Sequence, residues 1–148
     1  MSVILNAGEI NRALRRISHE ILEKNHGSAG VVILGIPTRG AHLSLRIAQE
    51  IEMIEKSTVR HGILDITMYR DDLKMRSPRP LLPTQIPAGG IDDTHVVLVD
   101  DVFFSGRTIR AALDAINEVG RPKTVQLAVL IDRGHRELPI RAEIGRAH

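Results

Sequence analysis

A mainly parallel, twisted sheet flanked by helices follows from three features of this sequence. Short, continuous runs of β-branched residues alternate along the chain with longer stretches at helical spacing, the pattern of an α/β protein. Two of the apolar runs lead through a Gly-containing turn straight into a helical pattern, which puts the turns at the carboxyl ends of strands. And 148 residues with 43% hydrophobic content suffice for one core but not two, so a single domain over residues 1–148 is expected.

The elements can be justified in order. Residues 9–25 form an amphipathic helix, with Ile10, Leu14, Ile17 and Ile21 on the apolar stripe. Residues 30–36 read as a strand, 40–55 as a helix and 60–68 as a strand. Between residues 69 and 93 the character changes, because Pro78, Pro80, Pro83 and Pro87 hold four of the seven prolines. A long irregular segment in a compact domain is usually functional or disordered, and a flexible loop or hairpin covering the active site is expected there. Residues 96–99 are continuous and β-branched, as a buried parallel strand requires. From residue 108 a helix follows, with Ile109, Ala112, Leu113 and Ile116 at helical spacing, and Gly120-Arg121-Pro122 stops it. Residues 123–131 make the last strand. One Tyr, two Phe and no Trp leave the core to Val, Ile, Leu and Ala. The chain has no cysteine, which excludes disulfides, Cys-based metal sites and a Cys nucleophile. The seven histidines show no zinc-ligand spacing. No stretch approaches a membrane span, and Met1-Ser2-Val3-Ile4-Leu5-Asn6 lacks the layout of a signal peptide, so the cytoplasm is the expected compartment.

The most informative stretch is Val96-Val97-Leu98-Val99-Asp100-Asp101-Val102-Phe103-Phe104-Ser105-Gly106-Arg107-Thr108. An apolar strand ends in two carboxylates, and a hydroxyl-rich turn then opens a helix. Carboxylates at a strand's carboxyl end suit sugar hydroxyls, and the amides of residues 105–108 sit where a helix N-terminus favours a phosphate. That is the build of a site for a phosphorylated sugar. A magnesium-holding strand of a P-loop NTPase would also end in Asp-Asp, but Gly35-Ile36-Pro37-Thr38-Arg39-Gly40 continues Ala41-His42 rather than Lys and a hydroxyl. Arg39 beside Gly40, at a buried strand end, is expected to need an anionic partner. Asp65, in an alternating strand, reads as a paired structural carboxylate.

These thirteen residues resemble the 5-phosphoribosyl-1-pyrophosphate (PRPP) signature of the type I phosphoribosyltransferases. The block Asp132-Arg133-Gly134-His135-Arg136-Glu137-Leu138-Pro139-Ile140-Arg141-Ala142 is similar to the PyrR family of pyrimidine-operon regulators that are also uracil phosphoribosyltransferases. Further matches run in family order, at Leu64-Asp65-Ile66-Thr67-Met68-Tyr69-Arg70-Asp71-Asp72-Leu73 and Ile86-Pro87-Ala88-Gly89-Gly90-Ile91-Asp92-Asp93. The resemblance implies the type I phosphoribosyltransferase fold and transfer of a ribosyl phosphate from PRPP to uracil, giving uridine monophosphate (UMP) and pyrophosphate. Under it Asp100, Asp101 and Arg70 are catalytic, and the thirteen-residue signature holds PRPP. Thr38, Arg39, Gly40, Asp71 and Asp72 face the pyrophosphate, and Asp132, Arg133 and His135 face the base. Magnesium is expected to arrive with PRPP rather than in a protein cage.

The formal charge of +2 is modest, so any affinity for nucleic acid depends on where the cations lie. Arg12, Arg15, Arg16 and His19 follow one another at i, i+3, i+4 and i+7 on the first helix, and a second group follows the last strand. A basic helix face is ordinarily just a solvated surface. The resemblance implies instead that Arg15, Arg16, His19, Lys24, His135, Arg136 and Arg141 lie on the face that binds operon leader messenger RNA, under control of the uridine nucleotides UMP and UTP, in a homodimer or higher oligomer. Family members continue through a further strand where this chain reads Glu143-Ile144-Gly145-Arg146-Ala147-His148, so PRPP binding is expected to be more secure than turnover. An RNA-binding regulator with a weak PRPP site and a phosphoribosyltransferase for another base without an RNA role stand as alternatives.

Overall fold

A computed structural model of the chain describes residues 6–37, 39–69, 83–102 and 106–131. Four strands, β1 (Val31–Gly35), β2 (Arg60–Ile63), β3 (His95–Val102) and β4 (Thr124–Ile131), form a wholly parallel sheet in the order β2-β1-β3-β4. Three helices, α1 (Ala7–Asn25), α2 (Arg39–Glu55) and α3 (Gly106–Val119), cover its two faces. Strand alternation sorts the side chains between them. Val31, Ile33, Val97, Val99 and Ala128 pack with Leu14, Ile17 and Ile21 of α1 and Leu43, Ile47 and Ile51 of α2. Val32, Leu34, Val96 and Leu98 pack on the other face with Ala111, Ala112, Ala115 and Ile116 of α3. Both faces of the central strands are therefore buried, which is why their sequences are continuous rather than alternating.

The helix ends follow local chemistry. Asn6 Oδ1 accepts the Glu9 N–H at 2.8 Å and Glu9 Oε1 accepts the Asn6 N–H at 2.9 Å, a reciprocal cap that starts α1 two residues before the expected position. His26, in the left-handed region at φ 58, ends it, and the Gly27 N–H reaches back to the Leu22 carbonyl at 2.8 Å. α1 is then fixed to β4 by two amides. Asn25 Nδ2 donates to Gln126 Oε1 at 3.0 Å, and Gln126 Nε2 returns a bond to Asn25 Oδ1 at 2.8 Å. α3 begins at Gly106, ahead of the expected residue 108, and β3 runs on through Asp100 and Asp101 to Val102.

Two expectations need correction. The strand expected over residues 60–68 stops at Ile63, and Thr67–Tyr69 form a turn of 3-10 helix. The cause is Asp65, whose Oδ1 accepts both the Thr67 N–H at 2.9 Å and the Thr67 hydroxyl at 2.6 Å, closing an Asx turn that extended backbone cannot accommodate. Secondly, of the loop or hairpin expected over residues 69–93, residues 70–82 lie outside the described residues, and residues 83–93 pack on the edge of the sheet rather than over the cleft. Ile63 and Gln85 exchange both backbone bonds, at 2.9 and 2.8 Å, in an antiparallel bridge on the outer edge of β2. Arg60 Nη1 also donates to the Ala88 and Gly90 carbonyls, at 3.2 and 2.8 Å, and Ile91 is buried in the core. The strap crosses so close that a Cβ on Gly62 would run into the Gln85 carbonyl and lie 3.1 Å from Pro87 Cδ. It covers an edge that would otherwise be open to pairing.

Candidate active site

Strand order places the site. β1 pairs with β2 on one side and β3 on the other, so the chain reverses direction across the sheet between β1 and β3. Ligands of open α/β sheets bind outside the carboxyl ends of strands at such a point. Gly35 is in register with Val99, and the Ile36 N–H donates to the Val99 carbonyl at 2.9 Å. The loop after β1 and the acidic end of β3 therefore lie side by side at one level.

Glycine makes that approach possible. A Cβ on Gly40 would run into the Val99 carbonyl and come within 3.3 Å of the Asp100 Cα. A Cβ on Gly35 would meet the Ser44 hydroxyl at 2.5 Å and the Ala41 Cα at 2.7 Å. The first turn of α2 thus presses directly against β3 beside Asp100, which is half-buried there. α3 opens at Gly106, four residues beyond Val102 and at the same edge of the sheet. Neither α2 nor α3 has an acidic residue in its first turn, in contrast to α1, which has Glu9. No acidic residue in either first turn therefore offsets the positive end of the macrodipole, and Arg39 opens α2. A cation at a helix N-terminus is unfavourable by itself, and an anion bound at the same place reverses the sign. The arrangement is suited to a molecule with two anionic groups and hydroxyls between them.

Several expected site residues come together here: Val96, Val97, Leu98, Val99 and Asp100 on β3, the backbone of Asp101 and Val102, Arg39 and Gly40 at the start of α2, and the backbone of Gly106, Arg107 and Thr108. Val96 to Val99 are core residues that carry the acidic end rather than touch the cleft. Arg39 differs from expectation, since its side chain at the start of α2 is exposed rather than set at a buried edge. Thr38, Arg70, Asp71, Asp72, Phe103, Phe104, Ser105, Asp132, Arg133, His135, Arg136 and Arg141 lie outside the described residues. On α1, Arg15, Arg16, His19 and Lys24 are all exposed, on the side of the helix away from the sheet. Arg15 Nε lies 3.9 Å from Glu50 Oε1, and Arg16 Nη1 lies 3.1 Å from Glu20 Oε2. Sequence reasoning missed the steric role of Gly35, whose only signal was its place at the end of an apolar run before a second glycine.

The model of the phosphoribosyl transferase domain matches residues 2–146. The bifunctional protein PyrR of Streptomyces coelicolor is 61% identical over 140 residues, which is 95% of this chain and 72% of that one. The chain belongs to the PyrR family. A second PyrR relative, from Leifsonia xyli subsp. xyli, is 60% identical over 146 residues, covering 95% of this chain and 79% of its own. A hypoxanthine phosphoribosyltransferase from Staphylococcus aureus superposes with a TM-score of 0.69 over 96% of this chain and 73% of that one, at 15% identity. That likeness speaks for the fold alone, and with the domain match it places this chain in the type I phosphoribosyltransferase architecture. No helix among the described residues is long and apolar enough to cross a membrane.

Proposed function

We propose that this chain transfers a phosphoribosyl group from PRPP to uracil, yielding UMP and pyrophosphate, and that it binds pyrimidine-operon leader RNA in a way set by UMP and UTP. One observation carries the catalytic half: the acidic end of β3 lies between two helix N-termini that lack acidic residues. PRPP has the matching layout, with a phosphate at one end, a pyrophosphate at the other and ribose hydroxyls between.

In this reading the amides of residues 105–108 hold the 5-phosphate, while Thr38, Arg39 and Gly40 hold the pyrophosphate with Arg70, Asp71 and Asp72. Asp100 and Asp101 accept hydrogen bonds from the ribose 2′ and 3′ hydroxyls. Breaking the bond to pyrophosphate builds positive charge on the ribose and negative charge on the leaving group, so fixed dipoles and charges lower the barrier without a covalent nucleophile. The two carboxylates oppose the first charge, and the α2 N-terminus with Arg39 opposes the second. Asp132, Arg133 and His135 line the base pocket. Magnesium fits the donor chemistry: the half-buried Asp100 is a hard oxygen donor at the cleft, and this ion takes one or two carboxylates with phosphate oxygens and water. Bound with PRPP it neutralises pyrophosphate charge. Arg15, Arg16, His19 and Lys24 on α1, with His135, Arg136 and Arg141, form the RNA face of a cytoplasmic homodimer.

The test is pyrophosphate release from PRPP with uracil, hypoxanthine or orotate as acceptor. Uracil alone should support turnover, and Asp100→Asn should lower the rate by about 10²–10³-fold, the scale on which losing one transition-state contact is felt. Turnover with hypoxanthine instead, or a wild-type rate in Asp100→Asn, overturns the assignment.

A further inference from the structure

Asp65 lies at the carboxyl edge of the sheet, one strand away from the cleft, between the buried Leu64 and Ile66. Its carboxylate holds the Thr67 N–H and hydroxyl, at 2.9 and 2.6 Å. Its own backbone N–H donates to Thr84 Oγ1 at 2.9 Å, across a separation of 19 residues. The neighbouring Ile63–Gln85 bridge adds two backbone bonds, and Leu64 donates its N–H to the Gly35 carbonyl at 2.9 Å. Beyond Thr67 the turn is completed by the Tyr69 N–H bonded to the Ile66 carbonyl at 3.0 Å, and Tyr69 packs against the cluster that contains α3. Arg70 is the next residue. Asp65 therefore holds the turn at Thr67 by its carboxylate and Thr84 by its backbone N–H, while its neighbour Leu64 is bonded to the end of β1.

We infer that Asp65 is a positioning residue for phosphoribosyl transfer: its carboxylate shapes the turn at Thr67–Tyr69, its backbone N–H joins that turn to Thr84, and together they fix Tyr69, the residue before Arg70. This rests on the reading that Arg70, Asp71 and Asp72 serve the pyrophosphate. Asp65 itself touches no substrate. Its effect is one of geometry, and a displacement of about 1 Å at a reacting group costs on the order of 10²-fold in rate.

The experiment is steady-state kinetics of UMP formation by the whole chain, with melting temperatures alongside, for Asp65→Ala, Asp65→Asn, Thr84→Val, Arg70→Ala and the double variant Asp65→Ala/Arg70→Ala. Asp65→Ala should raise KM for PRPP or lower kcat by at least about tenfold. Asp65→Asn, which keeps an acceptor oxygen for Thr67, should restore most of the loss, and Thr84→Val should give a smaller change in the same direction. On the Arg70→Ala background the Asp65→Ala change should add nothing, because residues acting as a unit are non-additive. Wild-type kinetics in both Asp65→Ala and Thr84→Val, with Arg70→Ala impaired, overturns the inference alone, as does a full Asp65→Ala effect on top of Arg70→Ala. If Asp65→Ala does not fold, Thr84→Val decides by the same comparison. Wild-type kinetics in Arg70→Ala removes the pyrophosphate reading of that segment, and this inference falls with it.

Discussion

At the scale of single residues, two positions expose how tightly the site is built. Gly40 is buried with the Val99 carbonyl where its side chain would be, so Gly40→Ala must push the first turn of α2 away from β3. Overpacking of this kind costs about 1–3 kcal/mol, and urea denaturation should show it together with weakened PRPP binding. Tyr69 is the second. Burial, then the charges of Glu118 and Asp114, raise its phenol pKa above the ordinary 10.0. The folded state therefore favours the neutral phenol. The stability this contributes is fully present below pH 10.0 and is lost as pH rises through the higher folded value. Tyr69→Phe should accordingly lose less stability than the wild type in melts carried above that pH. Alkaline melting curves that superpose would show the phenol to be without consequence.

At the scale of elements, the reach of each interaction decides what the sequence discloses. The acidic end of β3, its apolar run and the glycine turn are contiguous, so residue type and spacing reveal them. The same holds for the α1 stripe, whose members recur at helical spacing. By contrast, Asp65 meets Thr84 over 19 residues and Asn25 meets Gln126 over 101, and no local pattern announces either pair. The end of β2 was misjudged because alternation through Asp65 looks like a strand until its bond to Thr67 is known. The Asn25–Gln126 pair also has a measurable weight. Gln126→Ala leaves the Asn25 amide short of its partner in a largely buried place and should cost about 1–3 kcal/mol. Asn25→Leu with Gln126→Leu, which removes both polar groups, should recover much of that in the same denaturation assay. If the double variant is as unstable as Gln126→Ala, packing rather than hydrogen bonding holds α1 on β4.

For the whole molecule, the cleft and the basic side of α1 occupy different places. The cleft lies at the carboxyl edge between β1 and β3, while Arg15, Arg16, His19 and Lys24 face outward from one helical layer. The two proposed activities should therefore separate by substitution. Exposed ion pairs such as Arg16–Glu20 and Arg15–Glu50 are worth about 0–1 kcal/mol, too little to keep these guanidinium groups from a phosphate backbone. In filter binding, Arg16→Ala should weaken leader RNA binding and reduce the salt slope by about one, with PRPP affinity unchanged. An unaltered slope would remove Arg16 from the interface. The reversal of strand order has a mechanical consequence. The strands β1 and β2 with α2 belong to one half of the chain, the strands β3 and β4 with α3 to the other, and the helices sit on opposite sides of the sheet. A sugar phosphate gripped at both helix starts would thus be a stitch through all three layers, joining at one hem two halves already seamed along β1 and β3.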